Sequence, residues 1–185
     1  MMYVIPYTMS GKQYIKAATT ERLILWQMTD EDAPLILELL NEPLFHRFIG
    51  DKGVRNLDDA IKYLRTGPIA SYAEHGFGLF LVERKADHVA VGMCGLLKRT
   101  SMEDVEIGFA LLARYSGQGY ATEAGLAVMQ LGREKFALKR IAAIADIDNE
   151  ASANVLRKIG LQLRGTIKLP ELDSERRFFL RTDAP

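Results

Sequence analysis

Two kinds of residue that could carry chemistry stand close together in the stretch 105–124. Glu106 lies inside an apolar run, where the two-residue period of a strand turns it to the face shared with Gly108 and Ala110. A carboxylate that points into a cleft can accept a proton from a substrate, directly or through water. A surface carboxylate, or one that only orients a substrate, remains an equal alternative at this point.

Two glycines, Gly117 and Gly119, directly precede a helical pattern. The first turn of a helix presents unpaired N–H groups and a partial positive charge, and glycines remove side chains that would keep a phosphate away from them. The spacing therefore suits a pyrophosphate, although a tight helix entry without a ligand explains it equally well. A dinucleotide-binding fingerprint is disfavoured, because its third glycine is replaced by Thr122 and the preceding strands look antiparallel.

Two longer motifs give this stretch a family resemblance. The run S-G-Q-G-Y-A-T-E-A, residues 116–124, agrees in seven of nine positions with the run W-G-K-G-Y-A-T-E-A. That run is typical of GNAT acyltransferases, in the branch that resembles ribosomal-protein N-terminal acetyltransferases. Asn149-Glu-Ala-Ser152, followed by L-R-K-I-G-L at 156–161, is similar to a second motif of the same branch. Ser116 departs from the family pattern, which has Gln or Arg there. The resemblance covers roughly residues 20–168.

The resemblance implies an acetyl-CoA site and roles for individual residues. Main-chain groups would hold the pyrophosphate at Ser116, Gly117, Gln118, Gly119, Tyr120 and Ala121, and would pair with the pantetheine arm or face the oxyanion at Phe109, Ala110 and Leu111. Asn149 would cap a helix and also contact the cofactor. The catalytic residues would be Glu106, as proton acceptor, and Ser152, whose hydroxyl would bind the CoA sulfur unless it only satisfies its own helix start. Many GNAT enzymes use a tyrosine where this chain has Leu156.

The implied activity is transfer of an acetyl group from acetyl-CoA to a primary amine in a ternary complex. An α-amine with a pKa of about 7.7–8.0 needs only about 1 kcal/mol to become neutral at pH 7, whereas a lysine needs about 4.6 kcal/mol. A weak carboxylate base therefore favours a protein or peptide N-terminus as acceptor. A small-molecule amine or antibiotic, and a CoA-binding module without catalysis, are the alternatives.

The order of elements predicts an α/β (α+β) fold in one domain. Apolar runs predict strands at residues 20–25, 79–83, 89–98, 104–112, 140–145, 161–167 and 176–181. Helical spacing predicts helices that start at Thr29, Asn56, Gly119 and Asn149, with a break at Gly67-Pro68. We expect a mixed, largely antiparallel GNAT-like sheet of about six to seven strands flanked by helices. Residues 1–19 are interpreted as a variable lead-in, and 20–185 as a single acetyltransferase domain.

Composition narrows the classes of partner. The 24 basic and 24 acidic residues balance, so we expect no nucleic-acid binding, and the apolar runs are too short for a membrane helix. One cysteine, Cys94, and three scattered histidines provide no metal-ligand spacing, so no metal is expected. The start of the chain does not resemble a secretion signal, which favours the cytoplasm. A homodimer is left open.

Overall fold

The computed structural model describes residues 14–182. The strands are β1 Lys16–Thr19, β2 Leu23–Gln27, β3 Leu79–Arg84, β4 Val89–Leu97, β5 Val105–Leu111, β6 Arg140–Asp146, β7 Gln162–Ile167 and β8 Arg176–Thr182. The α-helices are α1 Ala33–Leu40, α2 Pro43–Phe48, α3 Leu57–Leu64, α4 Ala70–His75, α5 Tyr120–Glu134 and α6 Glu150–Lys158. Within this part of the chain, no helix is both long enough and apolar enough to cross a membrane.

The strands form one sheet in the order β1-β2-β3-β4-β5-β6-β8-β7. Every neighbouring pair is antiparallel except β5 and β6, which run parallel because α5 connects them as a crossover. The prediction of a mixed, largely antiparallel sheet flanked by helices is confirmed. The described residues contain eight strands, one more than the upper end of the predicted range.

The additional strand is β1, which lies inside the segment that we interpreted as a lead-in. Its sequence, KAAT, has little intrinsic strand preference, but it pairs with β2 in a register that joins Lys16 to Trp26 and Thr19 to Ile24. The ordered sheet thus begins before residue 20. Residues 1–13 lie outside the described residues, so the lead-in itself stays a prediction.

Two apolar cores cover the two faces of the sheet. The first lies against α5 and α6 and includes Phe80, Ile107, Val128, Met129 and Phe179. The second lies against α1 and α3 and includes Trp26, Ile36, Leu39, Leu64 and Leu81. The period of two predicted for β5 is confirmed, because Ile107 and Phe109 join the first core whereas Ala110 packs against the second.

Helices α3 and α4 are joined without the break that we predicted at Gly67-Pro68. Residues Arg65–Ile69 form a π-helical turn with Pro68 inside it and buried. A proline removes one N–H donor and crowds the preceding turn of an α-helix, and the wider π turn relieves both effects. The chain therefore stays helical from Leu57 to His75, and the prediction of a break was wrong.

Candidate active site

Strands β5 and β6 separate along their length. Their parallel pairing is limited to Val105 with Ile141 and Glu106 with Ala142. Beyond these pairs β5 continues to Leu111, bonded on its other edge to β4, and β6 continues to Asp146, bonded to β8. The carboxyl-terminal halves of β5 and β6 thus leave a gap inside the sheet. Along that gap, one edge of β5 has no strand partner among residues 14–182.

A cavity of about 500 Å³ occupies this region. Its walls include Glu106, Gly108 and Phe109 of β5, Ile144 and Asp146 of β6, Asn149, Ser152 and Leu156 at α6, and Phe45, Lys52, Tyr63, Pro68 and Arg99 on the side of α2 to α4. Four predicted site residues therefore border one cavity: Glu106, Phe109, Asn149 and Ser152. The remaining predicted residues, Ala110, Leu111 and 116–121, do not border it.

Glu106 is a buried carboxylate, with only 4% of its surface exposed. Arg99 Nε donates a hydrogen bond of 2.5 Å to Glu106 Oε2. Burial raises the pKa of Glu106 above its usual value, and the guanidinium of Arg99 offsets part of that rise by favouring the charged form. Glu106 thus combines a raised pKa with a position on the cavity wall, which are the two properties of a general base.

Arg99 connects Glu106 to a wider set of polar groups that our sequence analysis missed. Its Nη1 lies 3.6 Å from Glu171 Oε1, which also accepts a 2.6 Å hydrogen bond from Ser101. Lys52 adds a second cation at the cavity, where burial, and then the charge of Arg99, lower its pKa. The register of β4 with β5, which pairs Leu97 with Glu106, brings the residues just after β4 close to Glu106, and that register is visible only in the structure.

Ser152 and Asn149 stand at the start of α6. The Asn149 side chain accepts a 3.0 Å hydrogen bond from the Ser152 backbone N–H, which confirms the predicted cap. The Ser152 hydroxyl is half-buried at the cavity and makes no hydrogen bond to any other residue in the described part of the chain. It is therefore free to bind a ligand. Leu156, one turn further on, is buried and offers only an apolar surface.

The turn before α5 has the geometry of an anion site. Gly117 and Gly119 have φ angles of +75° and +83°, in the left-handed region that favours glycine. Gly119 is the N-cap residue of α5 and has no side chain. It therefore cannot accept a hydrogen bond from the first backbone N–H groups of the helix, as a capping side chain would. Ser116, Gly117, Gln118 and Gly119 are exposed. The Tyr120 side chain is buried, so its main chain is the part that a ligand could reach.

The end of β5 presents main chain rather than reactive side chains. Phe109 and Leu111 pack partly against the first core, and Ala110 packs against the second. Their partners in β4 are Cys94, Gly92 and Met93, respectively. The opposite edge of β5, facing the gap, can accept an extended ligand as a strand would.

The thiol of Cys94 is fully buried, and burial raises its pKa to about 12, so it is not a nucleophile in this fold. Among residues 14–182, no cluster of three or more His, Cys, Asp or Glu side chains is arranged to hold a metal ion.

Comparison with known proteins finds relatives over most of the chain. The family model described as "Acetyltransferase (GNAT) domain" matches residues 22–162. The curated protein "Uncharacterized N-acetyltransferase YoaA" of Bacillus subtilis (strain 168) is 30% identical over 150 residues, which cover 80% of this chain and 84% of YoaA.

Two solved structures illustrate the shared fold. RimL, described as a ribosomal L7/L12 alpha-N-protein acetyltransferase in complex with coenzyme A, has a TM-score of 0.77 at 17% identity, covering 90% of this chain and 97% of its own. The aminoglycoside acetyltransferase AAC(6')-Ib, in complex with coenzyme A, has a TM-score of 0.69 at 17% identity, covering 86% of this chain and 94% of its own. These two proteins act on different kinds of amine, so the common fold leaves the acceptor open.

Proposed function

Because the chain belongs to the GNAT acetyltransferase family, we propose that this acetyl-CoA-dependent N-acetyltransferase acts on the N-terminal α-amine of a protein or peptide. The observation that carries the proposal is the cavity at the gap between β5 and β6, whose wall holds both the buried Glu106 and the free hydroxyl of Ser152. A proton acceptor and a hydrogen-bond donor on the wall of one cavity are what acyl transfer to an amine needs.

The residues on either side of the gap fit acetyl-CoA. The exposed turn at Gly117 and Gly119, with the open N-terminus of α5, suits the pyrophosphate. The unpaired edge of β5 at 109–111 suits the pantetheine arm, which would lie beside it like an added strand. Asn149 caps α6 and borders the same cavity, so it can serve both as the helix cap and as a contact for the cofactor.

When bound, acetyl-CoA supplies an activated thioester carbonyl. Glu106 takes the proton that the amine gives up as the new C–N bond forms, directly or through one water. A backbone N–H at the end of β5 faces the oxyanion, and the Ser152 hydroxyl donates a hydrogen bond to the sulfur as the C–S bond breaks. The α-amine suits this arrangement, since making it neutral at pH 7 costs about 1 kcal/mol against about 4.6 kcal/mol for a lysine.

The first test combines a binding measurement with an acceptor panel. Thermal unfolding is followed during titration with acetyl-CoA and with CoA, because a ligand at one hundred times its Kd adds about 2.7 kcal/mol of stability. We expect a saturable rise in Tm with both ligands. Turnover is then measured by thiol release with peptides, polyamines and aminoglycosides, and we expect activity with peptides that have a free N-terminus and none with the same peptides blocked.

Each other outcome of the panel selects an alternative. Activity confined to aminoglycosides or polyamines would replace the peptide acceptor by a small-molecule amine. Binding without turnover on any amine would indicate a CoA-binding module. No rise in Tm up to millimolar ligand would contradict the acetyl-CoA site itself.

A further inference from the structure

The turn between β1 and β2 is bound to the start of α5 by several polar contacts around Glu123. Glu123 Oε1 accepts hydrogen bonds from Thr20 Oγ1 at 2.5 Å and from the Arg22 backbone N–H at 2.8 Å. Its Oε2 accepts a third from Arg22 Nε at 2.6 Å. We call this set the Arg22–Glu123 clamp. It joins segments about one hundred residues apart in sequence, so no local rule of helix entry creates it.

The Arg22 side chain also holds the turn that precedes α5. Arg22 Nη1 donates a 3.0 Å hydrogen bond to the carbonyl oxygen of Gln118, between the two left-handed glycines. The guanidinium lies 4.6 Å from the ring centre of Tyr120 and covers that buried side chain. One arginine thereby fixes the turn, the first residue of α5 and, through Glu123, the end of its first turn.

The charge of the clamp matters as much as its shape. Burial alone would raise the pKa of Glu123, but hydrogen bonds from Thr20 and Arg22 outweigh burial and hold that pKa below its usual value. Glu123 is therefore ionised, in the first turn of the helix whose N–H groups would bind a phosphate. An unneutralised carboxylate there would repel a second anion. Arg22 supplies the neutralising charge, bonded both to Glu123 and to the carbonyl oxygen of Gln118 in the turn.

We propose that Arg22 and Glu123 are positioning residues for the cofactor, which hold the turn at 116–119 and the N-terminus of α5 in the arrangement that binds the pyrophosphate. The inference rests on the proposed function, since it takes acetyl-CoA as the ligand of that turn. Neither residue touches the reacting atoms. The clamp sets the affinity for acetyl-CoA and leaves the chemical step unchanged.

The test compares Arg22→Ala with a matched control, Arg140→Ala. Arg140 also makes an arginine–carboxylate ion pair, with two guanidinium hydrogen bonds to Asp104 at 2.7 and 2.8 Å, at the opposite end of the β5–β6 pairing from the gap. The side-chain exposures of the two pairs are similar, at 45% and 18% for Arg22 and Glu123 against 51% and 12% for Arg140 and Asp104. The Kd of acetyl-CoA is measured by isothermal titration calorimetry on the full chain.

We expect Arg22→Ala to raise the Kd by about tenfold or more, the scale of losing charge-assisted hydrogen bonds, and Arg140→Ala to change it by less than about twofold. In steady-state assays the KM for acetyl-CoA follows the Kd, whereas kcat at saturating cofactor and the KM for the acceptor stay at the wild-type values. A variant that was only less stable would not show a raised KM for acetyl-CoA together with an unchanged kcat and an unchanged KM for the acceptor.

Arg22→Lys separates position from charge, and it decides the question by itself if Arg22→Ala does not fold. Lysine keeps the positive charge but lacks the planar fork that reaches Glu123 and Gln118 together, so we expect it to lose most of the affinity too. Wild-type affinity in either folded variant of Arg22 overturns the inference. Failure of the wild-type protein to bind acetyl-CoA is a different result, which contradicts the proposed function and not the clamp.

Discussion

Glu106 shows how the chemistry of a residue depends on its neighbours in the fold. Strand alternation predicted the face to which Glu106 points, and the structure confirms it. The partner of Glu106 was not predicted, because Arg99 lies beyond the end of β4 and its contact with Glu106 depends on the β4–β5 register, which the pattern of a single strand does not contain. Burial and Arg99 act on the pKa of Glu106 in opposite directions, and burial is the stronger of the two.

This balance predicts the pH dependence of turnover. Glu106 must be ionised to accept a proton, so the acidic limb of kcat/KM should lie above the ordinary pKa of a glutamate. Arg99→Ala removes the group that favours the charged form, so we expect the limb to move to higher pH. Glu106→Gln should lower kcat by at least about tenfold on the plateau above the limb, where Glu106 is ionised in the wild type. Steady-state rates across pH check both effects.

Glu171→Gln is the matched control, because Glu171 also contacts Arg99 but lies outside the cavity wall. Glu171→Gln should shift the acidic limb of kcat/KM only slightly and leave the plateau rate unchanged. An acidic limb at the same pH in wild type and Arg99→Ala would remove Glu106 from the mechanism. Stability changes with pH in the opposite direction to turnover: the raised carboxyl pKa of Glu106 adds stability below the pKa of the unfolded chain, and that stability is lost as pH rises through the folded pKa.

Elements with strong local signals were predicted well, and elements made by long-range pairing were not. The capping box at Thr29, the strand–turn–helix at β5 to α5 and the cap at Asn149 follow from residues within a few positions of each other. Strand β1 and the π turn at Pro68 do not. The first depends on pairing with β2, and the second is a rare helical turn that keeps Pro68 inside a continuous helix, where proline ordinarily predicts a break.

The turn before α5 allows a prediction at the scale of one element. Alanine at Gly117 or Gly119 must adopt a left-handed conformation, which costs about 1 kcal/mol in either place. An added Cβ at Gly117 meets nothing within 4 Å, whereas at Gly119 it would lie 3.3 Å from Arg22 Nη2. We therefore expect similar losses of stability, but a larger rise in the Kd of acetyl-CoA for Gly119→Ala.

Chemical denaturation and calorimetric titration of the two variants check this expectation. Gly117→Ala serves as the control for backbone strain, since its added Cβ meets no other atom of the protein within 4 Å. Equal effects of both variants on the Kd would mean that strain in the turn, and not displacement of Arg22, controls cofactor binding.

The sheet as a whole contains information that no segment of the sequence reveals. The chain order predicted a mixed sheet, but the order of strands in space puts β8 between β6 and β7. The gap at the cavity exists because β6 is paired with β8 along its whole length but with β5 at only two positions, so the site depends on the complete sheet. Sequence analysis found four of the residues that border the cavity, Glu106, Phe109, Asn149 and Ser152, but not the gap that brings them together.

Two paired residues in β7 and β8 test how much the position of β8 inside the sheet, between β6 and β7, contributes to stability. Phe179 is fully buried in the first core, and its cross-strand partner Leu163 is 49% exposed. Phe179→Ala should lower the free energy of unfolding by roughly 3–5 kcal/mol, whereas Leu163→Ala should change it by about 1 kcal/mol or less. Urea unfolding of both variants provides the comparison, and similar losses would show that β8 is not a central element of the core.

The gap between β5 and β6 gives this protein an unprotected strand edge in the middle of its sheet, where most proteins have such edges only at the margins. Any extended peptide that meets those unsatisfied N–H and C=O groups encounters a template for β-addition. A ligand lying along β5 seals the template. We therefore expect bound acetyl-CoA to reduce self-association, and prolonged storage without a ligand to favour aggregates nucleated at this interior edge, which light scattering would detect.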